Sequence, residues 1–343
     1  MSLTAGLARA LEQGRHGPVR HVVTGLWGRL AAVRVARPLS FDEGAVVIAV
    51  GGATLGGSGK TPLAVASARW LATQGVSVAL VGHAYGARPD RARVVQPDDP
   101  VDVVGDEALD AAVGLAGSSV QVVVGPSRQR ALDHGLRLAR VAVIDGVLQS
   151  APRRATLSLL ALDAARPWGS ARCPPGGDLR APSAALLRAC DRAVLIGDGP
   201  AASRREVPTD LACVNANGLT LGSRKLGWAE VRGVRVGLWT HIARPDRVVG
   251  LLRARGIAPS EVVHLADHAR GRAVTHAMAG AVKRGVAHRV DLWVCTSKCA
   301  RRLPGSIGGV PIATIDYAVS VPGSLQEALR IALGGSKEGS GVS

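Results

Sequence analysis

Short apolar runs alternate with longer helical stretches along most of the chain after residue 40. Runs that are mostly apolar, rather than strictly alternating between apolar and polar residues, are typical of strands that are buried on both faces of a sheet. Such runs cover residues 45–50, 76–81, 120–124, 141–145, 157–162 and 193–197. Segments with helical spacing, such as 107–115 and 128–138, fall between several of them. The alternation predicts an α/β fold in which helices flank a parallel sheet.

A second, smaller α/β unit is predicted to begin near residue 234. Its predicted strands are 234–239, 261–265, 291–295 and 311–315, and its predicted helices are 244–256 and 273–284. We interpret residues 199–233 as the connector. The predicted organisation is a basic N-terminal segment (1–40), a large domain (41–225), a smaller α/β domain (226–333) and a disordered tail (334–343).

The N-terminal segment combines positive charge with apolar residues. Up to residue 40 it contains one acidic residue, Glu12, and arginines at positions 9, 15, 20, 29, 34 and 37. Apolar residues lie between the later arginines at roughly helical spacing: Leu26, Trp27, Leu30, Ala31 and Val33. Two interpretations are open, an amphipathic helix on an anionic membrane surface or a helix packed on its own domain with its arginines in solvent. We expect neither a signal peptide nor a spanning helix, since no run approaches the ~20 apolar residues that a bilayer requires.

The composition narrows the class of partner. The 343 residues carry a formal charge of +16, which favours nucleic acid, an anionic membrane surface or a phosphorylated substrate. Aromatic residues make up 3%, so the stacking platforms of single-strand binders are scarce and we expect no nucleic-acid partner. The five cysteines are scattered and odd in number, which argues against a disulfide framework. Cys295 and Cys299 lack a second pair at metal-ligand spacing, which favours buried structural residues over zinc ligands.

The stretch TLGGSGKTP, residues 54–62, follows the first apolar run and opens a predicted helix. Its three glycines allow backbone N–H groups to close around phosphate oxygens, and the helix N-terminus favours an anion. Lys60 is expected to reach the β- and γ-phosphates of a nucleotide, and the Thr61 hydroxyl to hold Mg²⁺. The strand, the loop and the helix together predict a P-loop; the alternative is a glycine-rich turn that binds no ligand.

Several motifs occur in the order in which one kinase family has them. The loop, VGGATLGGSGKTP, is similar to V-G-N-x-T-V-G-G-T-G-K-T-P, in which threonine stands where other P-loops have glycine. GHAYGAR, VGDEALDAA, VVVGPSR, IDGVLQS, LADHA and TSKCA follow in order, and the similarity covers roughly residues 40–320. The chain therefore resembles tetraacyldisaccharide 4'-kinase, a P-loop kinase that phosphorylates the lipid A precursor.

The resemblance implies an ATP-dependent transferase of lipid A (lipopolysaccharide) biosynthesis that uses Mg²⁺ and lies peripherally on the cytoplasmic face of the inner membrane. Its implied partners are the tetraacylated disaccharide 1-phosphate and the anionic surface of that membrane.

The resemblance also implies roles for individual residues. ATP phosphates would be held by the loop residues Thr54, Leu55, Gly56, Gly57, Ser58, Gly59, Lys60 and Thr61. Lys60, Asp106 and His268 would be catalytic. Asp106 and His268 would act as a pair that activates the 4'-hydroxyl of the sugar. Mg²⁺ would be organised by Thr61, Glu107 and Asp145. Substrate contacts fall on Tyr85, Arg128 and Arg180.

The sequence departs from the family pattern at polar positions. Where the family has D-D-G-x-Q-H, this chain has IDGVLQS, so Gly146 stands in place of the second aspartate and Ser150 in place of the histidine. At three other positions His83 stands in place of an arginine, Ala181 in place of a glutamate and Cys299 in place of an acidic residue. Loss of a carboxylate weakens the Mg²⁺ site, so the chain is either an active kinase or a catalytically impaired relative that binds nucleotide or lipid. A P-loop NTPase acting on nucleic acid would explain the charge but not the later motifs. Without the family register, the acidic pair at 106–107 would instead indicate a helix N-cap.

Overall fold

The computed structural model describes residues 18–84, 86–197, 208–266 and 271–334. Of these, residues 215–318 form a smaller unit and the others form a larger one. The smaller unit is thus built from one continuous stretch inside the sequence of the larger.

The larger unit contains most of the regular structure. Its helices before the smaller unit are α1 (Pro18–Val33), α2 (Lys60–Thr73), α3 (Val101–Val104), α4 (Asp106–Gly114), α5 (Arg128–Leu138) and α6 (Ser183–Arg188). Its strands are β1 (Ala36–Leu39), β2 (Val46–Gly52), β3 (Val78–Val81), β4 (Arg93–Val94), β5 (Val120–Val124), β6 (Val141–Asp145), β7 (Gln149–Pro152), β8 (Leu157–Asp163), β9 (Arg192–Ile196) and β10 (Thr209–Ala212).

Eight of these strands form one sheet, in the order β10-β9-β8-β2-β6-β3-β5-β4. Neighbouring strands are parallel except β4 and β5, which are antiparallel. The central strand β2 is buried over its whole length, because its VVIAV run is apolar and both faces of the sheet are covered. The predicted α/β fold with a parallel sheet is confirmed.

Helices cover the two faces of this sheet with separate apolar clusters. On one face, Leu63 and Leu71 of α2 and Leu109 of α4 pack with alternate side chains of β2. On the other face, Ala131 and Leu132 of α5 pack with the side chains that point the opposite way. Because successive side chains of β2 point to opposite faces of the sheet, this strand contributes residues to both apolar clusters.

The smaller unit has a sheet of its own. Its strands are β11 (Val214–Leu221), β12 (Arg224–Leu226), β13 (Val236–Thr240), β14 (Glu261–His264), β15 (Leu292–Thr296), β16 (Ser306–Ile307) and β17 (Val310–Val319). Its helices are α7 (Trp228–Val231), α8 (Pro245–Ala254), α9 (Arg272–Ala287) and α10 (Ser297–Ala300). The strand order is β12-β11-β17-β15-β13-β14, and β14, β13, β15 and β17 are parallel to their neighbours in this series.

Two features differ from the sequence-based organisation. The interpretation of 199–233 as a connector is wrong for its described part, where β10, β11, β12 and α7 lie. Asn and Gly interrupt the apolar pattern of β11, VNANGLTL, and hide its strand character. The last helix, α11 (Gly323–Gly334), buries Leu325 and Leu329 in the core of the larger unit, although the predicted boundary groups it with the smaller domain.

Helix α1 packs on the larger unit through small residues. Gly28 is buried, and a Cβ on it would lie 3.7 Å from Sγ of Cys173. Ala31, three residues later, packs against the same apolar cluster. The large apolar side chains of α1 are exposed: Leu26 by 56%, Trp27 by 51% and Leu30 by 60%. Among the described residues, no helix is both long and apolar enough to cross a bilayer.

We expect Asp210→Asn to destabilise the larger unit by about 2–4 kcal/mol, as measured by urea denaturation. Arg192 donates from Nε and Nη2 to the two carboxylate oxygens of Asp210, at 2.7 and 2.9 Å, and Ser324 of α11 also donates to this carboxylate. The Asp210 side chain is 1% exposed and that of Arg192 is 21% exposed. The variant therefore leaves a mostly buried guanidinium without its carboxylate.

The matched control is Glu43→Gln, which removes the carboxylate of the Arg153–Glu43 pair. Glu43 is 92% exposed, so its loss should cost less than about 1 kcal/mol. Equal losses in the two variants would contradict a structural role for the buried pair.

Candidate active site

The carboxyl ends of β2, β6, β3 and β5 lie side by side at one edge of the larger sheet. β6 pairs with both β2 and β3, and β3 pairs with β5, in each case in parallel. Segments that follow parallel strands emerge at the same edge, where open α/β sheets bind their ligands. The loop 53–59, the Asp145–Gly146 step, His83 and Arg128 are therefore brought to one place.

The loop after β2 turns back sharply over the end of its own strand. A Cβ at Gly52 would lie 2.0 Å from Oγ of Ser58 and 3.0 Å from its Cβ, so a side chain there would displace Ser58 from its place in the loop. Gly59, directly before α2, has φ 84°, and a Cβ on it would meet Ile196 at 2.8 Å. The loop thus needs glycine for space and for conformation, and it leads into the N-terminus of α2 as in a P-loop.

Thr54 has a role that does not require glycine. Its φ lies outside the left-handed region, and its Oγ1 donates to the carbonyl of Gly56 at 2.7 Å. Leu179 pairs with it in an isolated antiparallel bridge, and Arg180 Nε donates to its carbonyl at 2.8 Å. The segment 178–180 therefore holds the loop from outside, through contacts that the sequence pattern did not predict.

Thr61 and Asp145 connect the start of α2 to the end of β6. Thr61 Oγ1 donates to Oδ2 of Asp145 at 2.6 Å. Oδ1 of Asp145 is buried and has no hydrogen-bond partner among the described residues. Burial raises the pKa of Asp145, and the charge of Lys60 opposes that rise. One hydroxyl and one carboxylate oxygen are thus available at the end of the loop.

These groups fit a Mg²⁺ ion better than a metal held by protein ligands alone. In the described part of the chain, no cluster of three or more His, Cys, Asp or Glu side chains could hold a metal. Mg²⁺ in phosphate-binding sites takes one or two protein oxygens and completes its shell with phosphate and water oxygens. Thr61 and Asp145 supply such oxygens, and Glu107 lines the same small cavity.

The acidic pair 106–107 lies in the first turn of α4. The N-cap is Gly105, which has no side chain, so the alternative of a side-chain N-cap at this pair is wrong. Asp106 is fully buried, and its Oδ1 accepts from the backbone N–H of Glu107 at 3.0 Å. Both carboxylates still lie where a helix dipole favours negative charge.

His83, which stands where the family pattern has arginine, lines the same cavity as Thr61, Glu107 and Asp145. Burial and the charge of Arg128 lower the pKa of His83 to about 4. Its imidazole is therefore uncharged near neutral pH and adds no positive charge to the site. Its position directly after β3 is the sequence signal that marks it as part of the site.

Arg128 and Arg180 are half-buried and approach the loop from two sides. Arg128 Nη1 donates to the carbonyl of Asp145, and a Cβ at Gly146 would lie 2.9 Å from Arg128 Nη2. Gly146 has φ 81°, a conformation that side chains rarely adopt. Burial lowers the pKa of both arginines, and Asp145 opposes this. The guanidinium of Arg128 thus occupies the space next to the missing aspartate.

The remaining predicted positions are less informative. Tyr85 and His268 lie outside the described residues, so their roles stay predictions. Ser150 is buried and its hydroxyl donates to the carbonyl of Arg153 at 2.8 Å. Ala181 and Cys299 are buried in apolar clusters. Cys295 and Cys299 are buried, as expected for structural residues; Cys173 and Cys190 are also buried, and Cys213 is exposed.

Comparisons with known proteins agree on one family. The model of the family described as "Tetraacyldisaccharide-1-P 4'-kinase" matches residues 21–333. The tetraacyldisaccharide 4'-kinase of Bradyrhizobium diazoefficiens is 34% identical over 310 residues, which cover 86% of this chain and 85% of the relative. That of Sinorhizobium fredii is 32% identical over 250 residues, 71% of this chain and 68% of the relative.

A solved structure has the same fold. LpxK of Aquifex aeolicus, described as an "apo" form in complex with ATP, superposes with a TM-score of 0.67. The match covers 92% of this chain and 97% of that chain, at 18% sequence identity. The family model covers most of the sequence and the Bradyrhizobium relative is similar over most of both chains. This chain therefore belongs to the tetraacyldisaccharide-1-P 4'-kinase family.

Proposed function

We propose that this chain is an ATP-dependent kinase that phosphorylates the 4'-hydroxyl of a tetraacyldisaccharide 1-phosphate in lipid A biosynthesis. The observation that carries the proposal is the hydrogen bond between Thr61 and Asp145 at the end of a glycine loop that leads into α2. Curated relatives of similar length carry the name of this kinase, and the Aquifex structure was solved with ATP.

The proposed division of labour follows from charge and position. The loop N–H groups and Lys60 bind the nucleotide phosphates, and Arg128 and Arg180 neutralise charge on the acceptor side. A bound Mg²⁺, held through Thr61 and Asp145 with Glu107 nearby, would neutralise the charge that develops on the phosphate oxygens. The neutral 4'-hydroxyl needs a proton acceptor, for which Asp106 together with His268 is our candidate.

Lys60→Ala should lower kcat for phosphate transfer by at least about 100-fold, because it removes a fixed positive charge from the phosphate site. The assay follows transfer of labelled phosphate from ATP to the disaccharide in detergent micelles. Lys283→Ala is the control, since it removes the same charge from an exposed position in the smaller unit. Undiminished transfer by Lys60→Ala, or ATP binding without any transfer by the unaltered chain, would count against the proposal.

A catalytically impaired relative is the second candidate, and Gly146 is the observation that favours it. Under that hypothesis the site has simply lost a carboxylate. The close approach of Arg128 favours the first candidate instead, because a guanidinium already occupies the neighbouring space.

Gly146→Asp is therefore expected to lower kcat/KM about tenfold rather than to raise it. The new side chain must adopt φ 81° and displace Arg128 from the Asp145 carbonyl, and a left-handed conformation alone costs about 1–2 kcal/mol. Gly146→Ala imposes the same backbone cost without a carboxylate. Turnover by Gly146→Asp well above that of the unaltered chain would favour the impaired relative.

We further propose that α1 holds the chain on an anionic membrane surface, at the cytoplasmic face of the inner membrane. Its exposed Leu26, Trp27 and Leu30 can enter the interface, and Arg29 and Arg34, also exposed, can interact with anionic headgroups. Packing through Gly28 leaves these side chains in solvent rather than in the protein core.

The double variant Trp27→Glu, Leu30→Glu should weaken co-sedimentation with vesicles that contain phosphatidylglycerol by at least about tenfold, because two large apolar groups no longer enter the membrane. The control is Ile331→Glu, which places the same charge at an apolar side chain of α11 that is 66% exposed. Equal binding by the two variants would exclude α1 as the membrane contact.

A further inference from the structure

The segment 169–178 is closed on itself by hydrogen bonds between Ser170 and Asp178. The backbone N–H and the hydroxyl of Ser170 both donate to Oδ1 of Asp178, each at 2.8 Å. The backbone N–H of Asp178 donates in turn to the hydroxyl oxygen of Ser170 at 3.0 Å. Asp178 is 7% exposed, so this group of bonds is largely shielded from water. Its carboxylate thus ties together two backbone positions that are eight residues apart.

This closed segment holds one residue in an unfavourable backbone conformation. Ala171, directly after Ser170, has φ 58°, in the left-handed region that residues other than glycine rarely adopt. Such a conformation persists where the surrounding structure leaves no alternative. Here the carbonyl of Arg172 accepts from the N–H of Leu179 at 2.9 Å, next to the bonds between Ser170 and Asp178. The two ends of the segment are therefore fixed against each other.

Asp178, which closes the segment, also bonds to the phosphate loop. Its carbonyl accepts from the N–H of Leu55 at 2.8 Å, and the N–H of Arg180 donates to the carbonyl of Ala53 at 2.8 Å. Among the described residues, the N–H groups of residues 56–59 donate to no backbone carbonyl. The first half of the loop is thus held by the protein, and the N–H groups of its second half remain available to phosphate oxygens.

We propose that Asp178 is a positioning residue of the nucleotide site, which acts through Leu55 and does not itself touch the ligand. Its carboxylate fixes its own backbone, and its carbonyl then fixes the start of the loop before a nucleotide binds. A loop that is already held in its binding conformation loses less conformational entropy on binding, so the affinity rises. The ligand is the phosphate chain of a nucleoside diphosphate or triphosphate. This identity rests on the proposed kinase function, whereas the contacts between Asp178 and the loop do not.

The test measures equilibrium binding of ADP and of a non-hydrolysable ATP analogue, together with kcat and KM for ATP. Asp178→Ala should weaken binding of both nucleotides about tenfold and raise KM for ATP by a similar factor, with a smaller change in kcat. Asp178→Asn should recover most of the affinity, because its amide oxygen can accept the same two hydrogen bonds from Ser170. Ser170→Ala removes the hydroxyl from the same group of bonds and should also weaken nucleotide binding.

The matched control is Asp210→Asn, which alters another buried carboxylate of the larger unit. The bonds of Asp210 go to Arg192 and Ser324 rather than to the loop. This variant should lose stability in urea but bind nucleotide like the unaltered chain. Unchanged binding by Asp178→Ala, an equal loss in Asp210→Asn, or a loss in Asp178→Asn as large as in Asp178→Ala overturns the proposal.

Ser170→Ala keeps the test decisive if Asp178→Ala does not fold. Weaker nucleotide binding by Ser170→Ala then supports the proposal, and unchanged binding overturns it.

The same measurements separate the positioning role from the kinase function. Weaker nucleotide binding by Asp178→Ala, when the unaltered chain transfers no phosphate to the disaccharide, would refute the kinase function and support the positioning role. Transfer by the unaltered chain, with nucleotide binding unchanged in Asp178→Ala, would overturn the positioning role and leave the kinase function standing. Absence of nucleotide binding by the unaltered chain would overturn both.

Discussion

The buried parallel strand β2 determines where the chemistry of the larger unit can lie. Because β8 and β6 pair with it on either side and β3 follows β6, the segments after these strands emerge at one edge. The loop after β2 then has to reverse in almost no space, as the 2.0 Å approach of a Gly52 Cβ to Ser58 shows. Packing against Ser58 therefore favours glycine at this position before any ligand is considered. Phosphate binding and sheet packing therefore constrain the same few residues.

Much of the fold could be predicted because local and tertiary preferences agree there. Strands β5 and β6 have the predicted bounds, since their apolar runs are buried on both faces. Helix α5 also begins and ends as predicted, with Ser127 as a side-chain N-cap that accepts from Arg130 N–H. β10 was missed because its central residue, Asp210, is polar and is buried only through an arginine 18 residues away. No local pattern contains that partner.

The candidate site, like the fold, could be predicted from the sequence only in part. The order of strand, loop and helix is enough to expect Lys60, Thr61 and Asp145 at one edge. The relation between Gly146 and Arg128 could not be predicted, because it depends on a backbone angle and on a side chain from the start of α5. His83 is uncharged, so relative to the family pattern the site has lost one positive charge there and one negative charge at Gly146. These two departures offset each other in charge, which a comparison of single positions does not reveal.

The return of α11 to the larger unit has a consequence for how the protein is made. Leu325, Leu329 and Ala332 belong to the core that covers β2, yet they follow the whole of the smaller unit in the sequence. During synthesis from the N-terminus, that core stays incomplete until residues 325–332 have left the ribosome. The smaller unit, in contrast, is one continuous stretch that is available earlier. A chain cut short before residue 323 would therefore lack part of the core beneath its phosphate loop, although every residue of the loop itself would be present.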